Sequence, residues 1–154
     1  MKLLVKLIDI IYAIVEKVDE CVINCDHELG KYTGEKNTFC YYVLFNKSNR
    51  NNRFIKEVLT EIEIIYHGDM DYNGQTVLEE KLAVVEKLDN FLSQFILKVK
   101  DRVLKFDYEI GEADSELQVI LSFRFMDDVI DLEYNEEQLR LKIENINLKN
   151  EVLK

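Results

Sequence analysis

The sequence predicts an α+β domain: a mostly antiparallel sheet with two helices packed on one face. Three observations lead there. Apolar residues recur at three- and four-residue steps in two separate stretches, the period of an amphipathic helix. Elsewhere they alternate with polar residues at a period of two, the period of a half-buried strand. Each helix then has one apolar stripe and each strand one apolar face, and these elements must cover one another. The predicted order is α-β-β-β-α-β-β, followed by a C-terminal helical arm.

Taken in order, the first helix spans Lys2–Val18, with Leu4, Leu7, Ile8, Ile11, Ile14, Val15 and Val18 as its apolar face. Cys21, Ile23 and Cys25 then alternate with Val22 and Asn24, which suits a short strand, and Asp26–Thr38 reads as a hairpin loop through Gly30, Gly34 and Asn37. Phe39–Phe45 is rich in aromatic and β-branched residues and reads as a strand. Asn46–Arg53 is a polar, basic loop on an otherwise acidic chain. In the next strand Val58, Thr60, Ile62, Ile64 and Tyr66 share one face, and Glu57, Leu59, Glu61 and Glu63 share the other, so one side is buried and the other mostly wet.

The second helix begins at Thr76-Val77-Leu78-Glu79, a capping-box pattern, and its stripe is Leu78, Leu82, Val85, Leu88, Leu92 and Phe95. Two alternating strands follow, Val103–Ile110 and Leu117–Met126, joined through Gly111–Ser115. Glu133–Lys154 differs in kind. It is charged, with a thin apolar stripe of Leu139, Ile143, Ile146 and Val152 or Leu153, and reads either as a helical arm that needs a partner or as a helix folded back on the sheet. The expected division is a domain over 1–132 and an arm over 133–154.

At 154 residues the chain can bury roughly two thirds of its unfolded surface and needs no disulfide or metal to fold. A formal net charge of −10 argues against a protein that coats nucleic acid or an anionic membrane, since both require clustered Lys and Arg. Lys2, Lys6, Asp9, Glu16 and Lys17 interrupt the apolar N-terminal stretch, so it reads as neither a leader nor a membrane span. With three cysteines and no leader expected, the chain reads as cytosolic and reduced.

Chemistry-bearing motifs are sparse. Asp69, Asp71, Asn73, Gly74 and Glu80 fit the spacing of a calcium loop: short oxygen side chains, a glycine for the turn and a glutamate from the exiting helix. Against it, a strand enters where a helix belongs, and Thr76 occupies the eighth position, where an aliphatic is usual. The competing reading is a polar strand-to-helix turn with Thr76 as N-cap. Cys21, Cys25, His27 and Cys40 resemble a zinc set, but on a strand Cys21 and Cys25 would lie ~13 Å apart and could not share one metal. His67 precedes acidic residues without a nucleophile or oxyanion donors, and Asp127-Asp128 and Glu79-Glu80 read as solvated faces. With two histidines and no convergent catalytic set, an enzyme is not expected, and no cofactor is expected either. Asn49, Arg50, Asn51, Asn52 and Arg53 form the best interaction candidate, because arginine offers forked donors to a partner's carboxylates.

The layout resembles that of the tail terminator (tail completion) proteins of Gram-positive phages and phage-tail-like bacteriocins. An N-terminal helix leads to Phe39-Cys40-Tyr41-Tyr42-Val43-Leu44-Phe45, then the Arg-bearing Asn49–Arg53. Ile62-Glu63-Ile64-Ile65-Tyr66, a long helix, Asp101-Arg102-Val103-Leu104 and a final hairpin follow. The resemblance covers Met1 to about Leu132 and leaves the arm outside. It implies a non-catalytic structural protein that forms a hexameric ring on the finished tail tube and ends elongation. It also implies that the ring anchors sheath protein in contractile tails and meets a head or collar connector. The implied partners are further copies of the chain, tail tube protein, sheath protein and connector, and the implied location is the head-proximal end of the tail after assembly in the bacterial cytoplasm. On this reading Asn49, Arg50, Asn52 and Arg53 contact a neighbour or the tube, Glu57, Glu61 and Glu63 form a complementary face, and Leu139, Ile143 and Ile146 line the arm. Two other readings remain: a calcium-responsive binding module built on Asp69–Glu80, and a regulatory protein that seizes a partner with its C-terminal helix.

Overall fold

The computed structural model describes residues 5–69 and 72–128. It is an α+β fold in the order α1 (Leu7–Cys21), β1 (Asp26–Leu29), β2 (Thr38–Arg50), β3 (Ile55–His67), α2 (Leu78–Leu92), β4 (Ile96–Val99), β5 (Arg102–Ala113) and β6 (Glu116–Asp128). The strands form one sheet in the order β1-β2-β3-β6-β5-β4. Neighbours are antiparallel except β1 and β2, which run parallel. The predicted C-terminal arm, with Leu139, Ile143 and Ile146, lies outside the described residues, as do Lys2 and Leu4 of the predicted first helix.

A single core joins both helices to one face of the sheet. Ile10, Ile11, Ile14 and Val18 of α1 and Val84, Leu88, Phe91 and Leu92 of α2 pack on Phe39, Tyr41, Ile62, Ile64, Leu104, Leu121 and their neighbours. Alternation explains the strands. In β3, Val58, Thr60, Ile62, Ile64 and Tyr66 are all buried, and in β6 Leu117, Val119, Leu121, Phe123 and Phe125 are all buried. The Phe106 ring centre lies 5.3 Å from that of Phe91 and 5.6 Å from that of Phe123, tying α2 to the sheet through tilted rings.

Several predicted boundaries need correction. Cys21–Cys25 is not a strand: Cys21 closes α1, and Asn24 turns the chain at φ 65°, a left-handed conformation that Asn tolerates. The strand comes later, at Asp26–Leu29, and it does not form a hairpin with β2. Gly30 (φ 68°) and Gly34 (φ 94°) turn the connection so that β1 lies parallel to Thr38–Tyr41. The basic loop is shorter than predicted, because Asn46–Arg50 continues β2 opposite Lys56–Thr60. Pairing to β3 supplies the hydrogen bonds that their polar side chains do not favour. The β5–β6 turn is only Asp114–Ser115, both left-handed, as a tight two-residue hairpin requires. The sequence predicts no strand at Ile96–Val99, where β4 forms.

The second helix is also rotated from its predicted face. Leu78 and Leu82 are exposed, while Val84 and Phe91 are buried. Val77, not Thr76, is the residue preceding the helix, and its side chain makes no capping bond. Thr76 is instead buried and accepts a hydrogen bond at Oγ1 from the Gly68 N–H at 2.9 Å. Its own N–H donates to Glu116 Oε1 at 3.0 Å, and its hydroxyl donates to Glu116 Oε2. Lys81, also buried, donates to the Ser115 carbonyl. The start of α2 is therefore tied to the β5–β6 hairpin by buried polar groups that are paired, as burial demands.

Candidate functional site

The sheet face away from the helices, and the hairpin that extends it, are the most distinctive surface. β2 and β3 pair as far as Arg50 and Lys56, and Asn52 makes the turn between them: its Oδ1 accepts from the N–H groups of Phe54 (2.8 Å) and Ile55 (3.0 Å). Along β2, Val43 pairs with Ile62 but Phe45 pairs with Glu61, so Leu44 is an inserted bulge residue. Thr60 Oγ1 donates to the Phe45 carbonyl at 3.1 Å and holds the bulge.

The bulge inverts the facing of everything beyond it. Tyr41 and Val43 share the helix-side face with Ile64 and Ile62, whereas Phe45, Lys47 and Asn49 share the open face with Glu61, Leu59 and Glu57. Leu59 in turn lies opposite Arg124, and Glu61 opposite Ser122, which lies opposite Asp107. The curled open face encloses a hollow of about 560 Å³, lined by Phe45, Leu59, Glu61, Lys105, Asp107 and Arg124 among others. Lys47, Arg124 and Lys105 thus cross the open face as a basic band beside Glu61 and Asp107.

The structure separates the predicted site residues. Asn49 and Glu57 face each other across the β2–β3 ladder. Glu61 and Glu63 are half-buried on the same open face, where Glu63 accepts from the Gln118 amide and Glu61 lies 3.5 Å from Ser122 Oγ. Arg50 lies opposite Lys56 on the helix-side face. Arg53 is at the tip, its guanidinium 5.6 Å from the Phe54 ring centre. Asn52 shapes the turn through its side-chain oxygen. Lys47, Lys105 and Arg124 were missed, because no sequence signal marks the bulge that brings Lys47 to their face.

Of the calcium-type set, Asp69, Asn73, Gly74 and Glu80 lie among the described residues. Glu80, which would supply the closing carboxylate, already uses both oxygens: Oε1 lies 2.8 Å from the Tyr66 hydroxyl, and Oε2 accepts from the Asp69 N–H at 2.9 Å. Asp71 lies outside the described residues. Burial, with the Glu80 carboxylate beside it, pushes the Tyr66 hydroxyl pKa well up, which keeps it a hydrogen-bond donor. Among the described residues no group of three or more His, Cys, Asp or Glu is placed to hold a metal.

Cys21, Cys25 and Cys40 are free thiols whose pKa values burial raises, so all three are poor nucleophiles. His67 stacks on Tyr32 (3.7 Å between ring centres), and its Nδ1 is 3.8 Å from Glu116 Oε2. Burial lowers its pKa despite that carboxylate. His27 bridges the Tyr41 hydroxyl (2.8 Å) and Asp19 (3.1 Å). These contacts account for both histidines as packing groups. No described helix is long and apolar enough to cross a membrane. No protein-family model matches the chain, and no curated protein matches it.

Proposed function

We propose that the chain is a non-catalytic assembly subunit, of the kind that closes into a hexameric ring on a phage-type tail tube and ends its elongation. The observation that carries this reading is the β2–β3 hairpin. From Val43 to Arg50 every residue of β2 is exposed, including the large apolar Leu44 and Phe45. An extended, half-apolar strand of this kind is an invitation to pair with another chain, and its positive charges suit a chain with a net charge of −10. Head-to-tail contacts between unlike surfaces generate rings. The further partners on this reading are tail tube protein, sheath protein where the tail contracts, and a head or collar connector.

The calcium-module reading is the weaker one, since its closing ligand, Glu80, is committed to Tyr66 and Asp69. Light scattering of the purified chain, with negative-stain images of the same sample, tests the proposal. The expected result is a hexameric ring with an open lumen. A monomer at every concentration counts against it. Replacing Arg50 and Arg53 together with Glu is expected to weaken assembly at unchanged melting temperature, and unaltered rings would remove the hairpin tip from the contact.

A further inference from the structure

We propose that copies of this chain join by strand pairing, the outer edge of Val43–Arg50 in β2 of one copy lying antiparallel to the outer edge of Asp107–Ala113 in β5 of the next. The inference rests on the self-assembly reading above and names the surface responsible for it.

Among the described residues the sheet has two half-covered edges. β1 covers β2 only along Thr38–Tyr41, and the last bond on that side runs from the Gly30 N–H to the Tyr41 carbonyl. β4 covers β5 only along Arg102–Lys105, with one further bond from the Phe106 N–H to the Phe95 carbonyl. Beyond those points, no described residue forms a backbone hydrogen bond to either outer edge. Both stretches consist largely of exposed residues. Unpaired N–H and C=O groups in a row are a template for another strand.

The two edges differ in charge. Val43–Arg50 contains Lys47 and Arg50 and no acidic residue. Asp107–Ala113 contains Asp107, Glu109 and Glu112 and no basic residue. Opposite charges across a strand pair stabilise it and like charges destabilise it, so β2 against β2 and β5 against β5 are both disfavoured. The bulge at Leu44 and the charge of Lys47 guard against pairing with an identical edge, but not against an acidic one. Lys47, Asp107 and Glu109 also lie on the same open face, so an antiparallel overlay of the two segments sets Lys47 beside the β5 acids.

The direction and the step agree as well. β2 and β5 are separated by three antiparallel pairings, so they run oppositely within a copy. A head-to-tail repeat therefore brings them together antiparallel. The two free stretches lie at opposite corners, because Phe45, Glu61, Ser122 and Asp107 form one row across the sheet and the free parts run away from it in opposite senses. Their midpoints are offset by about five residues, ~17 Å along the strands, over four strand spacings, ~19 Å in all. That corresponds to strands inclined ~40° to the axis of the repeat, within the range in which sheets close on themselves. The short strands β1 and β4 fill the two remaining corners and leave complementary steps.

The test uses two charge-reversed variants of the full chain, Lys47→Glu with Arg50→Glu, and Asp107→Lys with Glu109→Lys. Their masses are read by sedimentation, singly and mixed, across a concentration range. These side chains are exposed, and unchanged melting temperatures confirm folding. Each variant alone is expected to lose the high-mass species that the unaltered chain forms, and an equimolar mixture is expected to restore it, because unlike edges again meet. If the unaltered chain forms rings and either variant does so equally well, or if the mixture stays dissociated, the edge pairing is overturned while the ring reading stands. If the unaltered chain is a monomer throughout, both fall.

Discussion

Replacing Glu116 with Ala tests how the start of α2 is fixed to the sheet. Glu116 is 7% exposed and Thr76 3% exposed. The carboxylate accepts both the N–H of Thr76, at 3.0 Å, and its hydroxyl proton. Hydrogen bonds to a charged group contribute ~1.5–3 kcal/mol each, and an orphaned buried donor costs ~1–3 kcal/mol. The two bonds share one residue and are not additive, and relief from burying the carboxylate offsets part of the loss. The expected destabilisation is about 3 kcal/mol, a large fraction of the ~5–15 kcal/mol that holds a domain folded. Urea unfolding measures it as a fall in midpoint at constant slope. In the double variant with Thr76→Val the hydroxyl bond is already gone, so the two losses should sum to more than the measured total by ~1 kcal/mol. A single-variant loss below ~1 kcal/mol would refute the argument, since Thr76 would then be satisfied without Glu116.

Three further outcomes are expected. Gly68→Ala should destabilise by ~1–3 kcal/mol, because a Cβ there would meet Glu80 Oε1 at 2.6 Å and Tyr66 Cε1 at 2.8 Å; urea unfolding at native-like stability would contradict the close approach. Calcium should leave the melting temperature unchanged, whereas saturation at a hundredfold excess over Kd would add ~2.7 kcal/mol and raise it by several degrees; such a rise would reinstate the Asp69–Glu80 site. The His67 pKa is lowered by burial, so the unfolded chain takes up a proton first as pH falls below 6.5. Stability should therefore decline from there down to the folded pKa and level off below it. The difference in urea midpoint between wild type and His67→Gln across this window isolates the effect, and a flat difference would count against the burial of that ring.

The parts of the fold that the sequence announces are those where one face must be dry. β3, β5 and β6 declare themselves by alternation over many residues. β1 and β4, four residues each, are too short to show a period and exist because longer neighbours offer them a ladder. α2 is legible as a helix but not in its orientation. At ~100° per residue its apolar residues span more than half the circumference, and the ring of Phe91 against Phe106 selects a face rotated from the leucine stripe. Thr76 looked like a cap because its hydroxyl suits one, and only the fold brings Glu116, forty residues on, to claim it. The interaction surface was half legible. The basic run was visible, but its division between two faces depends on one bulged residue.

That residue changes how the hairpin responds to mutation. Substitutions at Lys47 or Phe45 alter one side chain each, and loss of the single codon for Leu44 would leave Val43 opposite Ile62 and Phe45 opposite Glu61 in regular pairing, so that every later residue of β2 keeps its side. Phe45, Lys47 and Asn49 would still share the open face with Glu61, Leu59 and Glu57. A one-residue deletion in a regular strand reverses every facing beyond it, but at this position the bulge would absorb it. Lineages of this chain could shed that residue in one genetic step and keep the same side of the hairpin toward a neighbour.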